Sequence, residues 1–213
     1  MMLTCRLCAN TELKSLQGAD DRAYYLCSNC SLISASPGSY ISTKEEKARY
    51  LTHNNGIDQP GYVEFLNRAV EPALNYLKKD MVGLDYGCGY APTLSKILKN
   101  KGYQCEDYDP YFVKNLLNKK YDFIFSTEVF EHFNDPAAEL EKICNLLKPN
   151  GLLIIMTERW NDLDKFKNWY YTRDPSHVVF YNDQTFGFIE SKYNYTKLYD
   201  DQKRVTIHKK NNE

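Results

Sequence analysis

The stretch "MVGLDYGCGYAPTLSKILKNKG" constrains the fold more than any other part of this chain. A short apolar run leads into two glycines, Gly87 and Gly89, and a helical pattern starts directly behind them. Glycines at such a junction let the backbone turn tightly and come close to a ligand. The helix N-terminus behind them offers free amides to a carboxylate or phosphate. Pro92 suits the first turn of that helix, where a missing N–H is no loss. Asp109, 24 residues past Asp85, ends the next apolar run. A carboxylate there can bind both hydroxyls of a ribose; the plainer reading is a solvated turn residue ahead of Pro110.

The elements around the loop repeat the alternation. "YQCEDYD", "YDFIFSTE" and "LLIIMTE" read as strands, and "DPAAELEKICNLLKPNG" as a helix with Leu140, Ile143, Leu146 and Leu147 on one face. "DQTFGFIESK" follows as a helix, and "YTKLYDD" with "RVTIHKK" as a hairpin. Upstream, "TKEEKARYLTHNNG" predicts a short helix. "QPGYVEFLNRAVEPALNYLKK" predicts a longer one, with Pro72 placed to kink or break it. Strands alternating with helices predict an α/β fold with a mostly parallel sheet covered on both faces. The closing hairpin adds an antiparallel end.

The front of the chain is different. Cys5, Cys8, Cys27 and Cys30 form two C-x-x-C pairs with an eighteen-residue spacer. Each pair can deliver two thiolates to one ion, and two pairs complete a tetrahedral zinc shell. Four protein ligands leave no open position, so such a zinc is structural. The competing readings are a redox pair or thiols that only pack. A module of about 35 residues is too small to fold on its own core, which favours the metal. Cys105 and Cys144 read as buried thiols. Cys88, between the two glycines, reads as a filler beside the ligand.

Formal net charge is −1, and the first 43 residues balance three basic against three acidic side chains. The Cys module is therefore no basic nucleic-acid arm. No apolar run nears the roughly 20 residues of a membrane span. "MMLTCRLC" lacks the apolar core of a signal peptide. Seven cysteines without an export signal point to a reducing, cytoplasmic setting.

Two cofactor families use a strand, glycine loop and helix. A dinucleotide fingerprint wants G-x-G-x-x-G, and Pro92 stands at its last position here. "VGLDYGCGYA" instead resembles motif I of class I S-adenosylmethionine-dependent methyltransferases, with Ala91 in place of the usual third glycine. "YDFIFSTEVFEHFNDPAAELEKICNLLKPNGLLIIMTE" resembles the later motifs of the ubiquinone/menaquinone-biosynthesis-like group, and "RDPSHVVFYNDQTF" the segment after their fifth strand. The resemblance covers residues 81 to about 190. It implies a Rossmann-like, seven-stranded sheet and a shared cofactor pose. Asp85, Gly87, Cys88 and Gly89 would line the methionine end, Asp109 would hold the ribose, and Thr127 and Glu128 would border the sulfonium. One departure stands out: only "PYFVKNLLNKKY" separates Asp109 from Asp122, where the family fits a helix and another strand. Adenine contacts must then come from Tyr111, Phe112 or elsewhere.

The resemblance places His132, behind Glu131, in a loop facing the methyl group, and His177 in the segment that walls the acceptor pocket. Either histidine could serve as a base, with Glu131 orienting the imidazole; both could equally be structural. His53 reads as a lid or loop residue and His208 as surface. Trp160, Trp169, Tyr170 and Tyr171 could line the acceptor pocket or pack between lid and sheet. The expected organisation is a zinc-ribbon module at 1–40, a helical linker or lid at 41–80, and the S-adenosylmethionine-binding domain at 81–213. The expected activity is methyl transfer to a small metabolite. RNA or protein methylation through the ribbon, and a non-catalytic cofactor-binding protein, are the alternatives.

Overall fold

The computed structural model describes residues 3–52 and 54–212; His53 lies outside them. Its centre is a six-stranded sheet. Strands β4 (Val82–Tyr86), β5 (Gln104–Tyr108), β6 (Tyr121–Thr127) and β7 (Leu147–Met156) run parallel in the order β5-β4-β6-β7. The hairpin β9 (Tyr195–Asp200) and β10 (Val205–Lys210) extends it, with β10 antiparallel to β7 and to β9. Six strands stand where the resemblance implied seven. The chain between β5 and β6 is too short for a crossover helix and a further strand. It forms a loop pinned by one antiparallel bridge, Asp109 to Val113.

Alternation along β6 divides the core. Phe123 and Phe125 point to one face, where they meet Leu66 and Val70 of α2 (Pro60–Ala73) and Leu94 and Leu98 of α3 (Thr93–Asn100). Ile124 points to the other face, toward Leu140 and Ile143 of α4 (Pro136–Leu146) and, past the single turn α5 (Leu163–Phe166) in the chain, Phe186 and Ile189 of α6 (Asp183–Tyr193). Pro72 acts as a stop: α2 ends one residue later. The short helix α1 (Thr43–Tyr50) starts on a capping box between Ser42 and Glu45.

A second, four-stranded antiparallel sheet carries the Cys pairs. Its order is β1 (Leu13–Gln17), β2 (Ala23–Cys27), β3 (Ile33–Ala35) and β8 (Val179–Phe180). The fourth strand comes from the segment after β7, so the front of the chain pairs with its last third. Cys5, Leu7, Cys27, Cys30 and Leu32 share one apolar cluster with Leu84, Tyr86 and Phe130. The two sheets are packed into a common core.

One sequence expectation fails here, and another is decided between its two alternatives. His208, read as surface, is 1% exposed and lies in β10 against Phe186. The pleat turns its side chain inward, toward α6. Among the four aromatics offered for an acceptor pocket, Tyr171, Trp160 and Trp169 instead pack with Phe166 and Phe180 against the small sheet. Tyr170 is exposed.

Candidate active site

The carboxyl ends of β4, β5 and β6 open on a cavity of about 480 Å³. It lies where the strand order reverses on either side of β4, the place an open parallel sheet offers a ligand crevice. Gly87, Cys88, Gly89, Asp109, Tyr111, Thr127, Glu128, Glu131, His132 and His177 all line it. Sequence reasoning therefore brought ten residues from five separate segments to one cavity. Asp85 is the exception: it lies 2% exposed beneath the loop and is not part of the lining.

The loop needs its glycines for different reasons. Gly87 sits at φ +89°, and a Cβ there would stand 2.4 Å from Cγ2 of Val129. Gly89 sits at φ +67° with nothing within 4 Å of a Cβ, so it faces open space in a left-handed conformation. The amides of Gly87 and Cys88 both donate to the Tyr108 carbonyl, at 2.8 and 3.1 Å, which ties the loop to the end of β5. Asp109 is 6% exposed and organises the neighbouring turn. Its Oδ2 accepts from the Gly89 amide at 3.1 Å, and its Oδ1 from the amides of Tyr111 and Phe112 at 2.8 and 3.1 Å.

Burial, with the nearby charges of Asp107 and Asp109, pushes the Asp85 carboxyl up to about 8, and among the described residues its Oδ1 has no hydrogen-bond partner. Glu128 adopts φ +54°, a strained conformation for a non-glycine residue. Its amide donates to the Met156 carbonyl at 2.7 Å, and Arg204 reaches both its carboxylate oxygens at 3.2 Å. Burial, with the charge of Glu131, still pushes the Glu128 carboxyl up to about 8 against the pull of Arg204.

Glu131 is fully buried. Its carboxylate accepts from the Tyr171 hydroxyl at 2.5 Å and from the Thr157 hydroxyl at 2.8 Å. It does not orient the His132 ring, as the sequence suggested. That partner is the Ser176 carbonyl, 3.0 Å from His132 Nδ1. His177 Nδ1 lies 2.8 Å from the Tyr171 carbonyl. The two imidazoles meet edge to face with centroids 4.9 Å apart. Burial and the neighbouring His132 hold His177 down at about 4, against the opposing pull of Glu131 and Asp174, so it is neutral at ordinary pH.

Several lining residues escaped sequence reasoning. Glu46 and Tyr50 of α1 cover the cavity, and the hydroxyls of Tyr50 and Tyr111 both donate to the Glu46 carboxylate, at 2.7 and 2.5 Å. "TKEEKARY" carries no sign of this, since it reads as an ordinary polar helix. Asp174 also lines the cavity and holds Arg49 of α1 through two contacts at 2.8 and 2.9 Å. Its position in "RDPSH" was visible; its partner was not.

The four cysteine sulfurs converge. Cys5 Sγ lies 3.5 Å from Cys30 Sγ, and Cys8 Sγ lies 3.4 Å from Cys27 Sγ. All four ligand atoms fall within 4.8 Å of one another, and none is in a disulfide. Zinc–sulfur bonds of about 2.3 Å put tetrahedral sulfurs about 3.8 Å apart. The donor set therefore fits one tetrahedral, thiolate-bound ion.

A family model described as a methyltransferase domain matches residues 58–199, well over half of the chain. The chain belongs to the methyltransferase domain family. With the class I sheet and the glycine loop, this makes it an S-adenosylmethionine-dependent methyltransferase. Solved structures share the fold at low identity. The magnesium protoporphyrin IX methyltransferase from Synechocystis PCC 6803 with bound SAH is 13% identical, at a TM-score of 0.56 over 79% of this chain and 95% of that one. The 1,6-didemethyltoxoflavin-N1-methyltransferase from Burkholderia thailandensis is 13% identical, at 0.54 over 93% and 100%. A SAM-dependent methyltransferase from Archaeoglobus fulgidus is 19% identical, at 0.53 over 70% and 94%. No curated protein matches the chain. Among the described residues, no helix is long and apolar enough to cross a membrane.

Proposed function

We propose that this methyltransferase modifies a small-molecule acceptor inside the roofed cavity, with a structural zinc in its Cys module. The observation that carries the acceptor reading is enclosure. The cavity is covered by Glu46 and Tyr50 of α1 and walled by Asp174 and His177, and Arg49 joins cover to wall through Asp174. Such a space suits a compact molecule better than a polymer. The solved relatives named for porphyrin and toxoflavin chemistry are in keeping with that choice.

S-adenosylmethionine, when bound, supplies an electrophilic methyl group on its sulfonium. The chain's part is to hold and align. In this reading the open left-handed turn at Gly89 and the uncovered backbone of Cys88 receive the methionine end, with Asp85 bracing the loop from below. Asp109 would take a ribose hydroxyl with the one lone pair of Oδ2 left after its three amide contacts. Tyr111 would stand beside the adenine, and Thr127 and Glu128 beside the sulfonium. Their strained, Arg204-braced corner is a fixed edge of the cavity. His132 and His177 would face the acceptor and govern the loss of its proton.

For the Cys module, the convergence of four sulfurs supports zinc, and its burial against the main sheet favours a building role over a docking one. We further propose the division into a ribbon at 1–40, a helical linker or lid at 41–80 and an S-adenosylmethionine-binding domain at 81–213, with β8 lent back to the ribbon. Free thiols throughout suit a reducing, cytoplasmic setting. The membership in the ubiquinone/menaquinone-like group is part of the same proposal. Calorimetry with S-adenosylmethionine, then a screen of small hydroxyl-bearing acceptors, tests it. Absence of cofactor binding would defeat it, and so would turnover confined to RNA or protein.

A further inference from the structure

Glu131, His132 and His177 each place one donor atom within 4.8 Å of the other two. The tautomers are fixed by what lies behind the rings. Ser176 offers His132 Nδ1 only a carbonyl, and Tyr171 does the same for His177 Nδ1. A carbonyl oxygen can only accept, so both Nδ1 atoms carry a proton, and Nε2 is the atom each ring has left to offer an ion. A backbone carbonyl behind Nδ1 is the arrangement that orients metal-bound imidazoles. The Glu131 carboxylate is held in place by the Tyr171 and Thr157 hydroxyls and keeps further lone pairs. The surrounding charge also favours a cation. Among the described residues, seven carboxylate side chains line the cavity against one lysine, Lys142; Arg49 pairs with Asp174 and Arg204 with Glu128, which leaves five carboxylates to one lysine.

We infer that Glu131, His132 and His177 form a divalent-cation site on the acceptor side of the cavity, and that the acceptor presents a hydroxyl oxygen to it. The acceptor half rests on the methyltransferase reading; the cation half does not. Two imidazoles and one carboxylate occupy three positions and leave others open to an incoming oxygen. A cation there lowers the pKa of that hydroxyl. Its proton leaves to water, the oxygen lone pair forms the O–CH₃ bond, and the S–CH₃ bonding pair returns to sulfur. The mixed nitrogen and oxygen set differs in kind from the four thiolates. It accepts Mn²⁺, which thiolate sites disfavour.

The test uses the full chain with its Cys module zinc-loaded. Mn²⁺ is titrated in and read by electron paramagnetic resonance. One saturable Mn²⁺ per chain is expected. His132→Gln and His177→Ala should each weaken it at least tenfold, while zinc content and S-adenosylmethionine affinity by calorimetry stay near the parent values; those two readings report that the variants are folded. No saturable Mn²⁺ site in the parent would overturn the inference. So would undiminished Mn²⁺ binding in both variants. If S-adenosylmethionine binds and Mn²⁺ does not, the cation site falls and the methyltransferase reading stands. If Mn²⁺ binds as described and S-adenosylmethionine does not, the reverse holds.

Discussion

The guanidinium of Arg22 donates to the backbone carbonyl of His177 at 2.9 Å. It donates as well to the carbonyls of Thr172, Asp174 and Pro175, so a single side chain holds the backbone of this whole wall. Asp20 fixes the guanidinium at 2.6 Å, and it lies over the Tyr24 ring at 5.4 Å. The pairing of β3 with β8 continues the grip along the next residues. Arg22 belongs to the Cys-bearing module. The module therefore shapes the catalytic cavity although its own residues scarcely enter it.

Arg22→Ala should damage the acceptor side and spare the cofactor side. Hydrogen bonds from a charged group contribute about 1.5–3 kcal/mol each, and several are lost together. The expected result is a drop of at least tenfold in kcat/KM for the acceptor, with S-adenosylmethionine affinity within about threefold of the parent. Arg22→Lys keeps the charge but not the fork, and should recover only part of the loss. Equal losses on both sides would mean general unfolding instead of a positioned wall.

Elemental analysis should find about one zinc per chain. Cys27→Ser or Cys30→Ser should abolish that stoichiometry. Because Cys5, Cys27 and Cys30 share a core with Leu84 and Tyr86, the damage should reach beyond the module. Loss of metal should lower the melting temperature of the whole protein in one transition and depress acceptor turnover with it. Metal-free protein with unchanged melting would rule the zinc out.

Gly87 and Gly89 should separate two effects. Gly87→Ala puts a methyl group 2.4 Å from Val129 and strains the backbone, so stability and cofactor binding should both fall. Gly89→Ala meets no atom, and its backbone penalty alone is about 1–2 kcal/mol. Its stability loss should be small while the lost approach surface weakens S-adenosylmethionine. Asp109→Ala should do both, since it frees the amides of Gly89, Tyr111 and Phe112. Melting curves and calorimetry on the three variants read this directly.

The sequence displayed what local rules control. Apolar period, the glycine loop and Asp109 gave the sheet, its mostly parallel sense and the position of the cavity. The short run after Asp109 foretold the missing strand. Long-range pairing was hidden. Nothing in "SHVVFY" says that Val179 and Phe180 will join a sheet built from residues 13–35, because only two residues pair there and the partner lies over 140 positions away. The cover over the cavity was hidden for a similar reason. Glu46 is 7% exposed in a largely polar helix, and the hydroxyls of Tyr50 and Tyr111 make its burial tolerable. His208 was misread because a terminal strand was taken to have an open face, whereas α6 covers it.

His208 gives the pH dependence. Burial holds its imidazole down at about 4, helped by Lys197, and among the described residues neither ring nitrogen has a hydrogen-bond partner. Folded protein keeps it neutral, while the unfolded chain protonates it near its ordinary value of about 6.5. Between those two values the unfolded state binds the extra proton. Stability is therefore full above about 6.5 and declines as pH falls toward 4, by up to about 3 kcal/mol from this group. Glu190, 3.5 Å away, contributes with the opposite sign, since burial raises its pKa and the folded state then takes up its proton before the unfolded chain does, so the variant below isolates the share of the imidazole. His208→Phe should flatten this limb in denaturant titrations at pH 5 and pH 7. An unchanged slope would exclude His208 as its source.

The buried cluster of Glu131, Tyr171 and Thr157 allows charge and packing to be separated. Glu131→Gln keeps the shape. The amide oxygen can still accept from one hydroxyl, and its NH₂ can donate to the other, so the stability loss should be about 1–3 kcal/mol. Tyr171→Phe leaves Glu131 intact but removes one of its two donors, with a loss of similar size. If the cluster served only as mortar between the turn at Phe130–His132 and the sheet, equal stability losses would bring equal, minor losses of turnover. The arrangement argues otherwise, because Glu131 is the one carboxylate in the cluster it forms with His132 and His177. Removing that charge weakens whatever cation or developing positive imidazole stands there, and removing the phenol does not. Glu131→Gln should therefore cost at least tenfold in kcat, about 1.4 kcal/mol of barrier, with S-adenosylmethionine affinity near the parent. Tyr171→Phe should cost less than about threefold by the same measure. Equal kcat values for the two variants would return Glu131 to a purely structural role.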